Sequence, residues 1–152
     1  CRCLTVRMPA MQPLDPTRYS NRYDDPGVGW FKVTVDSDHV LFVAIHGKGT
    51  MPGTRALVAM FDEIATKREG DETLDVFMDL TGLSKTPLRA QAIMGKWLLV
   101  NRGLVGRVAI FGAKTWERKM AQAIFKVARF DRASLFKTQA EAASWLRPGR
   151  AS

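Results

Sequence analysis

The side chains able to do acid–base, metal or nucleophilic chemistry are few, and their spacing suits none of it. Histidine occurs only as His39 and His46, on either side of an apolar run. In an extended strand, side chains alternate between faces, so this pair points to opposite sides and cannot share a ligand. No His-x-x-x-His or Glu-x-x-His spacing is present, which leaves zinc without a frame. Cysteine occurs only as Cys1 and Cys3, too close for a domain-stapling disulfide and without companion ligands. The neighbouring carboxylates Asp62 and Glu63 fall on a helical stretch and read as a solvated face. Gly47-Lys48-Gly49-Thr50 has the residue types of a phosphate loop. It lacks the leading Gly-x-x-x-x spacing that would wrap amides around a phosphate, so it reads as a turn. Ser84 and Thr86 precede Pro87, where a hydroxyl serves as a helix cap more readily than as a modification site. No nucleophile has a base and an orienting group in reach. The expectation is therefore no catalytic residue, no metal, no cofactor and no enzyme.

Composition sets the frame for these residues. At 152 residues with 46% hydrophobic and 25% charged side chains, the chain is long enough for one domain with a real core. It has no apolar run of the roughly 18 residues that a bilayer span requires and no signal-peptide pattern, and reads as cytoplasmic. It opens on Cys1, with Met8 and Met11 as candidate starts; Arg2 and Cys3 speak against a lipidated N-terminus. The net charge of +8 is unevenly placed. Residues 31–83 carry five basic and nine acidic side chains, whereas residues 84–152 carry fourteen basic and three acidic. Such asymmetry suits an acidic partner, an anionic lipid surface or nucleic acid.

The elements that would position these groups follow from hydrophobic period. Residues 1–29, rich in proline and glycine, read as a flexible leader, followed by a domain over 30–147 and a tail over 148–152. Phe31–Val35 and Val40–Ile45 are strand-like runs joined by a short polar turn, a hairpin signal. A helix is expected from about Pro52 to Lys67, with Leu57, Phe61 and Ile64 on one face. Leu74–Leu80 reads as a buried central strand. Thr86-Pro87 resembles an N-cap followed by proline, opening a second helix to about Asn101 with Ala90, Ile93, Met94, Trp97 and Leu98 inward. Arg107–Phe111 is a strand. The third helix, opening at Lys114 or Thr115, carries a stripe of Trp116, Met120, Ile124 and Val127. Ala133–Phe136 and a helix over Thr138–Leu146, with Thr138 and Glu141 at capping-box spacing, close the domain. The order is ββαβαβαβα, an α/β fold with about five strands and four helices.

Three strings in this order carry a family resemblance. They are Val76-Phe77-Met78-Asp79-Leu80-Thr81-Gly82-Leu83, then Arg107-Val108-Ala109-Ile110-Phe111-Gly112 ahead of Trp116, and Leu135-Phe136 followed by Glu141-Ala142-Ala143-Ser144-Trp145-Leu146. Together they resemble the STAS superfamily and, within it, the SpoIIAA-like family, named after the anti-sigma-factor antagonist of sporulation. The resemblance covers about Phe31 to Leu146. It implies a mixed sheet with packed helices, similar also to the CRAL-TRIO type of fold, and a binding or regulatory module rather than a catalyst. One departure matters. Anti-sigma-factor antagonists place Asp-Ser-Ser-Gly, with its phosphorylated serine, where this chain has Pro87, Leu88, Arg89 and Ala90. No phosphorylation site is expected there.

Two surfaces are left as candidates. Ile93, Met94, Trp97, Trp116 and Met120 offer adaptable apolar area to a small apolar ligand; the alternative use of the same crevice is a carrier or sensor of lipid-like molecules. Lys114, Arg118, Lys119, Lys126 and Arg129 form a basic face for an acidic protein partner. An anionic membrane surface and a second copy of the chain, as a homodimer, are the other partners that this reading leaves open. Sequence-specific nucleic-acid binding is not expected, since no groove-reading module or interleaved aromatic platform accompanies the charge.

Overall fold

The computed structural model describes residues 11–148. The readings of Cys1, Cys3, the first ten leader residues and residues 149–152 of the tail lie outside the described residues. The chain order is β1 (Tyr19–Asp25), β2 (Gly29–Val35), β3 (Val40–Lys48), α1 (Met51–Thr66), β4 (Leu74–Lys85), α2 (Leu88–Asn101), β5 (Val105–Phe111), α3 (Thr115–Val127), β6 (Ala133–Phe136) and α4 (Gln139–Leu146). The strands form one sheet in the order β1-β2-β3-β4-β5-β6. The first three pair antiparallel, and β3 to β6 pair parallel. The expected α/β fold with four helices is present; the sheet has six strands rather than about five.

The additional strand is β1, inside the stretch read as leader. Its sequence, Tyr-Ser-Asn-Arg-Tyr-Asp-Asp, offers only two large side chains, Tyr19 and Tyr23, which pack against the core from one face. An edge strand needs little more, because full backbone pairing with β2 carries it. The turn that makes this hairpin is legible in Asp25-Pro26-Gly27-Val28. Val28 N donates to Asp25 O at 2.9 Å, and Gly27 has φ of +78°, the type II arrangement with proline first. The β2–β3 turn is held differently. Asp36, fully buried, accepts from the backbone N–H groups of Leu14, Asp38 and Val40. One carboxylate thus satisfies three amides and fastens residue 14 to the sheet.

Each parallel strand lies directly beside its predecessor, so crossovers of one hand put α1, α2 and α3 on the same face. Side chains confirm the layering by alternation. Leu41, Val43, Val76, Val108 and Ile110 join Leu57, Phe61, Leu98 and Met120 in the larger core. Val40, Phe77, Ala109 and Phe111 point the other way and pack with Ala142, Ala143 and Leu146 of α4. Fully buried Val33 and Val43 each contribute about 1.5–3 kcal/mol by leaving water.

Three local expectations are corrected. Thr86 is not the cap of α2: Pro87 occupies the N-cap with no side-chain hydrogen bond, because β4 runs on to Lys85 and uses up the residues that would have led into a capping turn. On α2 the fully buried residues are Ala90, Gly95 and Leu98, while Ile93, Met94 and Trp97 are half-buried. On α3, Val127 is 60% exposed, and the buried residues are Glu117, Met120 and Ala121. The two helices approach closely where Gly95 faces the end of α3. A Cβ at Gly95 would lie 3.4 Å from Val127, so α3 approaches α2 along its small-residue side.

Candidate functional site

A cavity of about 170 Å³ lies between the sheet and helices α1 to α3. Its floor is the helix-facing side of the sheet, with Leu41, Val76, Met78, Leu80, Val108 and Ile110. Its walls are Phe61 from α1, Met94 and Trp97 from α2, and Met120, Ile124 and Phe125 from α3. The β1–β2 hairpin closes one end, where the Tyr23 and Phe31 rings stack at 5.0 Å. Exposed His46 and Lys48, at the end of β3, border the cavity where it meets the surface, together with Asp25, Thr50 and Thr86.

Local structure places each wall. Trp97 is held by two contacts with α1: its indole Nε1 donates to Asp62 Oδ1 at 2.8 Å, and its ring meets Phe61 at 5.0 Å. Asp62 is thus a tether rather than a free surface carboxylate. Glu63 beside it accepts from the Tyr19 hydroxyl at 2.9 Å and ties α1 to β1. The Gly47-Lys48-Gly49-Thr50 segment is the rim. Thr50 caps α1, accepting from Gly53 N. Gly47, at φ of +88°, lies so close to the hairpin that a Cβ there would stand 2.3 Å from Val28 O. These glycines serve close backbone packing, and no amide cradle is formed by them.

Of the five residues read as ligand-binding, Met94, Trp97 and Met120 line the cavity, and Ile93 and Trp116 do not. Trp116 packs half-buried against the core from the first turn of α3. The floor residues were missed as site residues, although the alternation of Val76, Met78 and Leu80 marks one face of β4. Alternation shows which side chains share a face, but not that the layer above leaves a gap.

The residues read as a basic face all lie on α3 or at its ends. Lys114, Lys119, Lys126 and Arg129 are exposed; Arg118 is half-buried and its Nε donates to Ala113 O at 3.3 Å. Exposed Arg89 and Lys96 on α2 add to it. The single carboxylate on these two helices, Glu117, is fully buried and accepts from Lys114 N, so it offers no exposed counter-charge. Exposed apolar side chains are interspersed: Leu88 at 79%, Val100 at 73% and Val127 at 60%.

The two histidines have different surroundings. His39 Nε2 lies 3.0 Å from Glu72, which also meets Arg18 at 3.1 Å. The His39 hydrogen bond first, and then Arg18, hold the Glu72 carboxyl below its usual range, against the partial burial that pushes it up. His46 stacks on Trp30 at 5.6 Å, and Arg22 lies over the other ring partner at 4.5 Å from the Trp30 centroid. Among the described residues, no group of three or more His, Cys, Asp or Glu side chains could hold a metal ion. Among the same residues, no helix is long and apolar enough to cross a membrane.

The family model described as SpoIIAA-like matches residues 40–147, from the start of β3 to the end of α4. The chain belongs to the SpoIIAA-like family. The match covers every parallel strand and all four helices, and leaves β1 and β2 outside it. A search of curated proteins gave no match. SpoIIAA-like domains are in general non-enzymatic regulatory modules that work through protein–protein contact. The α2 N-terminus of this member presents Leu88 and Arg89 to solvent.

Proposed function

We propose that this SpoIIAA-like protein is a regulatory module that binds an acidic protein partner through the outer side of α2 and α3. The observation that carries this reading is the sign of that surface. Every exposed charge on the two helices is positive, and their one carboxylate is buried. Exposed Leu88, Val100 and Val127 give the same surface an apolar component, which a charged patch kept only for solubility would not need. Steering by such a patch is screened over a Debye length of about 8 Å at physiological salt and about 3 Å at 1 M. Phosphorylation does not switch this surface at the α2 N-terminus, since Leu88 and Arg89 accept no phosphate.

The test is charge reversal at Lys119→Glu with Lys126→Glu. Partner capture at low salt should be lost in the variant and in the wild type at high salt, and the protein should not sediment with anionic liposomes. Capture that survives the variant refutes the surface. Sedimentation with liposomes in place of capture would transfer the same face to an anionic membrane.

A second reading, supported by the cavity, is a small apolar ligand among Met94, Trp97 and Met120. Its volume of about 170 Å³ bears on the lipid-carrier alternative. Sites for drug-sized ligands run to about 300–1,000 Å³, so a long acyl chain does not fit this conformation.

A further inference from the structure

We propose that the cavity between the sheet and α1–α3 is a binding site for a small amphiphile, with one ring-sized hydrocarbon group inside and an anionic head at the rim. The proposal rests on the second reading above, and it fixes the chemical class of that ligand.

Volume sets the size of the inner group. An apolar cavity of about 150 Å³ stays dry and accommodates benzene; this one, at about 170 Å³, has room for a single ring or a branched chain of similar bulk. Met78, Met94 and Met120 line it from three different elements, and their flexible thioethers fit such groups without demanding one shape.

The lining sets the polarity. Thr50 Oγ1 is occupied by Gly53 N, and Gln91 Nε2 is directed at Thr86 O. Among the described residues the buried side-chain polar atoms without a partner are Arg68 Nε, Glu117 Oε1 and Arg147 Nε, and none of these residues lines the cavity. The sheet floor and the helix walls are almost all hydrocarbon, so a ligand hydroxyl or amide carried deep inside would lose its water partners and cost affinity, and a polar group is better placed at the rim.

The rim sets the sign of the head. Lys48 borders the cavity, and Lys85, its register partner across β3 and β4, stands next to it outside the lining; both are exposed. Neither has an acidic partner among the described residues. Arg89 follows in the first turn of α2, and the one carboxylate bordering the cavity is Asp25. Two adjacent like charges repel, and an anion held between them relieves that repulsion, whereas an amine would add to it.

The experiment titrates the full chain with phenylacetate, hexylamine, toluene and palmitate, read by calorimetry and by tryptophan fluorescence, since Trp97 lines the cavity. Phenylacetate and toluene should bind saturably, and hexylamine and palmitate should bind at least tenfold more weakly than phenylacetate. The Lys48→Glu, Lys85→Glu double variant should weaken phenylacetate at least tenfold and leave toluene unchanged. Filling the cavity by Ala121→Phe should abolish both, and the smaller Ala121→Leu, used should that variant not fold, should weaken both. Absence of saturable toluene and phenylacetate binding in folded protein overturns the proposal, as does binding of hexylamine or palmitate equal to that of phenylacetate. Partner capture through α3 is scored separately in the same preparations. Its survival when ligand binding fails would sink this inference alone.

Discussion

Trp97 joins α2 to α1 and walls the cavity, so substitutions there separate polar tethering from apolar packing. Trp97→Phe removes the indole donor to Asp62 but keeps a ring against Phe61. A hydrogen bond to a charged group is worth about 1.5–3 kcal/mol net; this one is exposed, and screening by solvent brings the expectation to about 0.5–1 kcal/mol. Trp97→Ala also deletes the packing. Truncating an aromatic residue in a core costs about 3–5 kcal/mol, and with Trp97 half-buried about 2–3 kcal/mol is expected. At this chain length 1 kcal/mol moves Tm by about 2–4 °C, so the phenylalanine variant should melt about 1–4 °C lower and the alanine variant about 4–12 °C lower. Asp62→Ala in the wild-type and Trp97→Phe backgrounds completes a double-mutant cycle, read by thermal and urea denaturation, with a coupling of about 0.5 kcal/mol or more. Equal destabilisation by phenylalanine and alanine, or zero coupling with Asp62, would refute the assignment of Trp97 as a tethered wall.

Gly47→Ala should destabilise by about 2 kcal/mol or more in urea denaturation, because it forces a left-handed φ on a residue with a Cβ and drives that Cβ into the backbone of Val28 and Gly29. Glu72 has a folded-state pKa below the ordinary value of about 4.3. Its contribution is therefore present above that value and lost as pH falls through the lower, folded-state value. The Tm gap between wild type and Glu72→Gln should accordingly be largest near neutral pH and narrow as acidification protonates the lowered carboxyl, and a gap that widens on acidification would contradict the sign. Finally, incubation with an anti-sigma-factor kinase should leave the intact mass unchanged. A single phosphate on Ser84 or Thr86 that abolished partner capture would overturn the reading of this N-terminus as unswitched.

Much of this molecule is decided by local pattern. The alternation in Val40–Val43 and Val76–Met78, the helical faces of Leu57, Phe61 and Ile64, and the Thr138–Glu141 cap each depend on a few neighbouring residues, so the α/β order and the family were readable from the chain. The absence of a catalytic spacing was equally local. Tertiary structure decided what depends on registration between distant segments. β1 exists because β2 offers it an edge, and its own Tyr-Ser-Asn-Arg-Tyr-Asp-Asp carries too little apolar area to announce a strand. On α3 the carboxylate of Glu117 is fully buried while the apolar Val127 is 60% exposed, the reverse of what side-chain type alone indicates. The cavity is the clearest case. The floor side chains read by sequence as ordinary core, and only the spacing of α1, α2 and α3 above the sheet leaves the volume that the side chains do not fill. Hydrophobic pattern specifies which face turns inward; it carries no information on how far apart the facing layers come to rest.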